Sequence, residues 1–162
     1  MLSIQPSSIK HNTSAWVIRH AHHIKQAGLV LDVAAGYGRN ARWLATQGYQ
    51  VTAIDKDADA LESMVGSANI TTQLADIEGD LWPDADSQFD AIVVCRYLHR
   101  PLFAKLIQSL APGGVLIYET FMEGQQAYGR PQNPDFLLKS NELLQIFSPE
   151  LTIVAFEQGL LQ

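Results

Sequence analysis

The stretch LDVAAGYGRNA, which runs from Leu31 to Ala41, decides the fold of this chain. Gly36, Gly38 and Ala41 match the spacing G-x-G-x-x-A, a pattern typical of dinucleotide-binding loops between a strand and a helix. Short glycine patterns also recur by chance, so this one alone does not identify a ligand. An acid, Asp32, lies just upstream of the loop. Other parts of the sequence are needed to identify the ligand of this loop.

Short apolar runs alternate with amphipathic segments on both sides of the loop. Most runs are rich in Val, Ile and aromatic residues without polar alternation, which predicts strands buried on both faces. Strands that alternate with helices predict an α/β fold with a doubly wound, mostly parallel sheet. We predict strands at 29–34, 50–55, 69–76, 89–95, 114–120 and 151–158, and helices at 14–28, 40–47, 57–66, 100–114 and 141–149.

Size and composition exclude several classes of protein. A length of 162 residues is typical of one domain, so we expect residues 1–162 to form a single domain. A net charge of −6 argues against a general nucleic-acid or acidic-membrane binder. The single cysteine, Cys95, cannot form an internal disulfide, which favours a reducing cytoplasm. The N-terminus lacks the apolar core of a signal peptide, and no apolar run approaches the ~18 residues of a membrane helix.

Acidic residues stand at the carboxyl ends of the first three predicted strands, where open α/β sheets bind ligands. Asp32 lies beside the loop, and Asp55 ends the second strand. A carboxylate at Asp55 suits the two hydroxyls of a ribose, because it can accept two hydrogen bonds. Asp76 ends the third strand and suits an adenine amino group, while Ile77 can pack on the ring. The pattern indicates a ligand that contains adenosine.

The sign of these charges distinguishes two adenosine cofactors. A dinucleotide carries a pyrophosphate, which prefers backbone N–H groups and no nearby carboxylate. S-adenosylmethionine carries a sulfonium and an ammonium and has no phosphate. Asp32 beside the loop therefore fits S-adenosylmethionine better, by an amount that can reach several kcal/mol in a crevice of low dielectric constant.

At this point the chain resembles the class I S-adenosylmethionine-dependent methyltransferases, and within them small bacterial members of the tellurite-resistance-like branch. The resemblance covers roughly Ser14 to Gln158, and the ordered set of motifs is more specific than any one of them. These motifs are VLDVAAGYGRNARWLA, VTAIDKD, LADIEG, FDAIVVCRYLHRP and LAPGGVLIYETF.

The resemblance implies a set of cofactor-binding residues. The loop under the methionine and ribose would consist of Asp32, Ala34, Gly36 and Gly38. The ribose hydroxyls would bind Asp55, with Lys56 beside it, and the adenine would lie against Asp76 and Ile77. The backbone of Cys95 would face the amino-acid end of the cofactor.

Two features depart from the family pattern. The family usually has Gly at position 34 and often Cys or Gly at 35, and this chain has Ala at both. The family's sheet also ends in a hairpin whose last antiparallel strand lies beside the fifth strand, and that strand is missing from this sequence. The open edge is a candidate surface for a homodimer, since a partner chain can cover an unpaired edge.

Polar residues follow the fourth and fifth predicted strands, where a transferable methyl group would point. Tyr97, His99 and Glu119 are candidate catalytic residues that could remove a proton from the acceptor. The candidate substrate contacts are Arg96, Arg100 and Arg130. Alternatively, some of these side chains cap the following helix or fasten the loop 121–139, which with the N-terminal helix would form a lid.

The sequence thus predicts an S-adenosylmethionine-dependent methyltransferase that acts on a small-molecule acceptor by direct displacement. One alternative is a module that binds the cofactor or a partner without chemistry, as the alanines and the missing strand would allow. A less favoured alternative is an NAD-binding domain. His20 and His23 share a helical face without a nearby cysteine or pair of acids, so we predict no metal site.

Overall fold

The computed structural model describes residues 13–79, 82–83 and 86–160. The prediction about a signal peptide concerns residues that lie largely outside these ranges. None of the helices within the described ranges combines the length and apolar character needed to cross a lipid bilayer.

Five parallel strands form one sheet in the order β3-β2-β1-β4-β5, with helices on both faces. This arrangement confirms the predicted doubly wound α/β fold. The strands span Leu29–Val33 (β1), Gln50–Asp55 (β2), Ile70–Leu74 (β3), Phe89–Cys95 (β4) and Leu110–Glu119 (β5). The order reverses between β1 and β4, and ligands of open α/β sheets bind at such a switch point.

The α-helices are short. They span Ala15–His20 (α1), Arg39–Thr46 (α2), Ala58–Glu62 (α3), Phe103–Gln108 (α4) and Glu142–Phe147 (α5). A 3₁₀ turn at Arg100–Leu102 precedes α4. The helix predicted at 100–114 ends early, because residues 110–114 already belong to β5, where Leu110 pairs with Phe89.

The core consists of two apolar clusters that cover the two faces of the sheet. One joins α1, α2 and the turn after α3, and includes Val17, Leu44 and Met64. The other joins α4 and α5, and includes Leu106 and Phe147. Because β1 and β4 are buried on both faces, their continuous apolar runs are explained by the layered fold.

The predicted sixth strand at 151–158 is wrong. Its segment makes no strand ladder, and Val154 is 69% exposed although the sequence is rich in β-branched and aromatic residues. In the described part of the chain, β5 has β4 as its only strand neighbour, so the segment leaves the open edge of β5 unpaired. Side chains hold it instead, through the Arg19–Glu157 ion pair and two hydrogen bonds between Gln158 and Asn141, one in each direction.

Candidate functional site

The loop after β1 turns sharply and is tied to the end of β2. Ala34, Gly36 and Gly38 all have positive φ angles, of 53°, 56° and 80°. The backbone N–H of Gly36 donates to Oδ2 of Asp55 over 2.8 Å. The protein's own contacts therefore fix the shape of the loop.

The two glycines of this loop serve different purposes. A Cβ at Gly38 would lie 2.1 Å from Sδ of the buried Met64, so the packing admits no side chain there. A Cβ at Gly36 would meet nothing within 4 Å. Gly36 thus borders open space, where a ligand can approach the backbone closely. Ala34, between β1 and these glycines, holds a left-handed conformation that costs roughly 1–2 kcal/mol.

Asp32 places an unsatisfied oxygen beside the loop. The residue is only 2% exposed, and Oδ2 has no hydrogen-bond partner within the described ranges. Burial, reinforced by Asp55, raises the pKa of this carboxyl to about 7, although a hydrogen bond from the Ala41 backbone and the charge of Arg39 oppose the rise. Because burying an unpaired carboxylate is costly, the site favours a cation or a hydrogen-bond donor at Oδ2.

Asp55 is half-buried at the end of β2, with both carboxylate oxygens oriented by backbone groups. Oδ2 accepts from Gly36, and Oδ1 accepts from the N–H of Asp57 over 2.9 Å. Each oxygen keeps a lone pair for a ligand. Asp57 has a separate task, because it caps α3 by accepting from the N–H of Ala60. Lys56, between the two acids, is exposed.

The third acid, Asp76, stands exposed after β3. Its Oδ1 accepts from the N–H of Glu78 over 3.1 Å. Ile77 is 6% exposed and belongs to an apolar cluster that also contains Leu98. The end of β3 therefore offers an open carboxylate next to an apolar side chain that faces the core.

The chain leaves β4 through a turn of unusual conformation. Burial raises the pKa of the Cys95 thiol to about 12, so the thiol stays protonated and is a poor nucleophile. Arg96 follows with a φ of 54°, a left-handed conformation that costs a non-glycine residue roughly 1–2 kcal/mol. Its N–H donates to the carbonyl of Glu119 over 2.8 Å, which joins the ends of β4 and β5.

Tyr97, a candidate base, is held as a hydrogen-bond donor. Its hydroxyl donates to Oε1 of Glu78 over 2.9 Å, and its carbonyl accepts from the hydroxyl of Tyr118 over 2.8 Å. Burial, with a smaller contribution from Glu78, raises the pKa of the Tyr97 phenol above its ordinary value. This geometry disfavours Tyr97 as a proton acceptor.

Arg100, a candidate substrate contact, is bound to the chain itself. Its Nε donates to both carboxylate oxygens of Glu142 over 3.2 Å. Nη1 donates to the carbonyl of Asp135 and Nη2 to that of Leu137, each over 3.0 Å. Most of the five N–H groups of the guanidinium are thereby used, which disfavours direct binding of a substrate. The adjacent His99 is half-buried.

Glu119 is bound by the segment that precedes α1. Its Oε2 accepts from the hydroxyl of Ser14, and the N–H of Ser14 donates to Oδ1 of Asn40 over 3.0 Å. The segment thus joins the helix after the glycine loop to the end of β5. Ser14 and Asn40 do not stand out in the sequence. The available signal is a serine before a helical run, which predicts an N-cap, and Ser14 does cap α1.

The loop 121–139 is closed at its base. Leu138 forms a parallel bridge with Met122, and its N–H donates to the carbonyl of Phe121 over 2.9 Å. Leu138 is buried, whereas Arg130 near the tip is exposed. This arrangement is compatible with a lid whose base is fixed and whose tip faces solvent.

The histidines of α1 and the following turn pack against one another. The rings of His20 and His23 stack with centroids 5.8 Å apart, and Trp16 contacts His20 edge-on. Within the described ranges, no group of three or more His, Cys, Asp or Glu side chains could hold a metal ion.

Comparison with known proteins places this site in a family context. Residues 30–114, more than half of the chain, match the family described as a methyltransferase domain. The match begins at β1 and ends inside β5, so it includes the glycine loop and the three acids. The crystal structure of TehB from Haemophilus influenzae superposes with a TM-score of 0.68 and 25% identity, covering 87% of this chain and 53% of that one.

Curated relatives match over a shorter range. The ubiquinone biosynthesis O-methyltransferase of Rickettsia typhi is 29% identical over 61% of this chain and 43% of its own length. The ribosomal RNA small subunit methyltransferase C of Alcanivorax borkumensis is 31% identical over 59% of this chain and 33% of its own length. The chain therefore spans less than half the length of these relatives. Together the comparisons confirm the family resemblance predicted from the motifs.

Proposed function

Because this chain belongs to the methyltransferase domain family, we propose that it binds S-adenosylmethionine and transfers the methyl group to a small-molecule acceptor. When bound, this cofactor supplies an electrophilic methyl group on a positively charged sulfur. The observation that carries the proposal is the buried, unpartnered Oδ2 of Asp32 beside a loop whose backbone is open to a ligand at Gly36.

The chain's own residues supply the contacts that such a cofactor needs. Asp32 would accept a hydrogen bond from the ammonium group, and its buried carboxyl would ionise more readily with a cation beside it. Asp55 would accept from the ribose hydroxyls with the lone pairs that the backbone leaves free. Asp76 would accept from the adenine amino group next to Ile77. A pyrophosphate, in contrast, would lie against the carboxylate of Asp32 and be repelled.

The residues at the ends of β4 and β5 would form the acceptor side of the site. Methyl transfer gains most from proximity and orientation, so these residues need chiefly to hold the acceptor in line with the methyl group. His99 would take a proton where the acceptor has to lose one. Arg96 and Arg130 are the proposed acceptor contacts, while Arg100 would act through the segment that it binds.

Calorimetry tests the cofactor assignment. We expect S-adenosylhomocysteine to bind and NAD to show no heat of binding. Asp55→Asn should weaken S-adenosylhomocysteine about tenfold or more, because a hydrogen bond to a charged group is lost. Asp57→Asn, at the neighbouring acid, is the matched control and should change the affinity by less than about twofold. A folded protein that binds neither ligand would contradict the proposal.

Turnover tests the acceptor class. The protein should form S-adenosylhomocysteine when it is incubated with S-adenosylmethionine and a panel of small N, O and S nucleophiles. Ribosomal RNA belongs in the panel because one relative carries that substrate in its name. Methylation of RNA alone would overturn the small-molecule proposal. Cofactor binding without any turnover would favour the non-catalytic module.

We further propose that the free edge of β5 supports a homodimer. Its support is the single strand neighbour of β5 among the described residues, together with the exposed apolar residues Ile153 and Phe156. Sedimentation at several concentrations should show a reversible dimer. Ile153→Lys, at an exposed apolar position, should shift the equilibrium towards monomer, and a monomer at all concentrations would contradict the proposal.

A further inference from the structure

The guanidinium of Arg96 lies near the switch point of the sheet and has no described bonding partner. The residue follows the carboxyl end of β4, is exposed, and has no side-chain hydrogen bond or ion pair within the described ranges. Arg100, only four positions later, uses most of its N–H groups on Glu142 and two backbone carbonyls. The two arginines of the same turn therefore have different tasks, and Arg96 is the one available to a ligand.

The acids around this turn are already bound to donors of the chain. Glu119 accepts from Ser14, and Glu78 accepts from Tyr97. These hydrogen bonds leave the two carboxylates fewer free lone pairs for an incoming ligand. The Arg96 guanidinium, in contrast, forms no ion pair with any described carboxylate. The acceptor side of the crevice thus offers one unpaired positive charge, that of Arg96.

The cofactor side has the opposite character. Asp32 has a free oxygen, and Asp55 and Asp76 accept only backbone N–H groups. Acids at the ends of β1, β2 and β3 therefore face the Arg96 cation after β4, while Glu119 at the end of β5 is bound to Ser14. Such a division suits a reaction between a cationic donor and an anionic acceptor, since each partner meets the complementary charge.

We propose that the methyl acceptor is a small organic molecule that carries a carboxylate, and that Arg96 binds this carboxylate. The inference rests on the proposed function and names its substrate class. A planar guanidinium matches a carboxylate with two parallel hydrogen bonds. The guanidinium of Arg96 balances one negative charge, so a doubly charged phosphate bound to it would leave excess negative charge near the three acids. The carboxylate is thereby preferred to a phosphate.

The backbone at Arg96 supports a binding role for its side chain. Its left-handed φ is unfavourable for arginine, and the N–H bond to the carbonyl of Glu119 holds the residue in that conformation. Unfavourable backbone conformations that the surrounding structure enforces cluster at ligand-binding sites. The turn therefore fixes the starting point of the guanidinium relative to the ends of β4 and β5.

Direct methyl transfer to such an acceptor needs no oxidant, reductant or other co-reactant. A lone pair on the acceptor's nucleophilic atom forms the bond to the methyl carbon, the carbon–sulfur bond breaks, and its electron pair stays on sulfur as a neutral thioether. An acceptor that starts as a neutral nucleophile with a proton releases that proton to His99 or to water. The carboxylate on Arg96 takes no part in bond formation and only orients the acceptor.

Matched thiols test the proposal with acceptors that differ mainly in charge. Mercaptoacetate is anionic, 2-mercaptoethanol is neutral and cysteamine is cationic. With wild-type protein, we expect kcat/KM for S-methylation to be about tenfold or more higher for mercaptoacetate than for either of the others, after correction for thiolate content. Arg96→Gln should abolish this preference, because it should lower kcat/KM for mercaptoacetate about tenfold more than kcat/KM for 2-mercaptoethanol.

Control variants separate a specific contact from general electrostatics. Lys25→Gln removes one exposed positive charge before β1, at the opposite end of the sheet, and should retain the preference. Arg96→Lys should restore part of it, because the charge returns without the planar fork. Loss of the preference in Arg130→Gln but not in Arg96→Gln would overturn the assignment to Arg96. Equal rates with all three thiols would overturn the charge class.

A binding experiment covers the case in which no thiol is methylated. ¹⁵N-labelled protein saturated with S-adenosylhomocysteine is titrated with propionate and, separately, with 1-propanol. Propionate alone should shift the backbone amide of Arg96 and its Nε resonance, and Arg96→Gln should weaken propionate binding about tenfold. No shift at Arg96 would overturn the inference, whereas failure to bind S-adenosylhomocysteine would instead contradict the proposed function.

Discussion

The guanidinium of Arg100 and the carboxylate of Glu142 form an ion pair, with Nη2 and Oε1 3.0 Å apart, that joins the turn after β4 to the start of α5. The side chain of Glu142 is only 12% exposed, so the pair lies partly out of solvent. The same guanidinium binds the carbonyls of Asp135 and Leu137. One arginine therefore fastens the end of the loop 121–139 beside His99.

Replacing Arg100 should release this loop. Arg100→Ala loses the ion pair and two hydrogen bonds to carbonyls, and should lower the free energy of unfolding by about 1–3 kcal/mol. Hydrogen exchange of residues 121–139 should accelerate more than that of β1 and β4. Glu142→Gln keeps an oxygen acceptor and should have a smaller effect on both measurements. Unchanged exchange in the loop after Arg100→Ala would refute this role.

Ala34→Gly should stabilise the protein. Ala34 has a φ of 53°, which glycine adopts without the cost that a Cβ imposes. We expect the free energy of unfolding, measured by urea denaturation, to rise by up to about 1 kcal/mol. The greater flexibility of glycine in the unfolded chain offsets part of the strain that is removed. Ala35→Gly is the matched control, because Ala35 has no positive φ and should lose about 0.5–1 kcal/mol. Equal effects of the two changes would show that conformation at Ala34 is not strained.

Asp32 should make stability depend on pH. Its pKa is about 7 in the folded state and near 3.9 when unfolded, so between about pH 4 and pH 7 only the folded state retains the proton. Stability from this group is therefore present at acid pH and declines as pH rises through 7. Asp32→Asn should gain stability relative to wild type on going from pH 5 to pH 8, by on the order of 1–4 kcal/mol.

Urea denaturation at the two pH values measures this difference. The exposed Asp59 offers a control, since Asp59→Asn removes a carboxylate of α3 without touching the loop. S-adenosylhomocysteine should bind Asp32→Asn at least tenfold more weakly, because the anionic partner of the ammonium is lost. A variant that is less stable than wild type by the same amount at both pH values would contradict the raised pKa.

Tyr97→Phe distinguishes a donor from a base. The hydroxyl donates to Glu78, so its removal should cost about 1 kcal/mol of stability and leave the ring packing intact. Turnover with the thiol acceptors should fall by less than about tenfold, with an unchanged pH profile. Glu78→Gln, which keeps an acceptor oxygen, should be milder than Tyr97→Phe. A loss of turnover of 1,000-fold would instead identify Tyr97 as part of the chemistry.

The parts of the fold that follow from local pattern are predictable from the sequence. The apolar runs at 50–55 and 89–95 correspond to β2 and β4, because strands buried on both faces leave a continuous apolar signature. The run at 151–158 has similar composition but forms no ladder. A strand requires pairing with a neighbouring backbone, and no feature of the run itself reveals whether it pairs with the open edge of β5.

The candidate site likewise has a part that is predictable from the sequence and a part that is not. Asp32, Asp55 and the two loop glycines are local to strand ends, so their placement at one edge of the sheet follows from topology. The engagement of Arg100 with Glu142, 42 positions apart, depends on how α5 packs back onto the sheet. The spacing of residues along the chain contains no signal for that contact.

The difference between Gly36 and Gly38 has a consequence for mutational libraries. Position 38 faces Met64 and should accept only glycine in any pool sorted for folded protein. Position 36 faces open space, and Ala34 shows that this turn can hold an L-residue with positive φ, so small residues at 36 should survive the same sort. Sorting for cofactor capture should then remove them. The two enrichment profiles would separate the glycine that the scaffold requires from the one that the ligand requires.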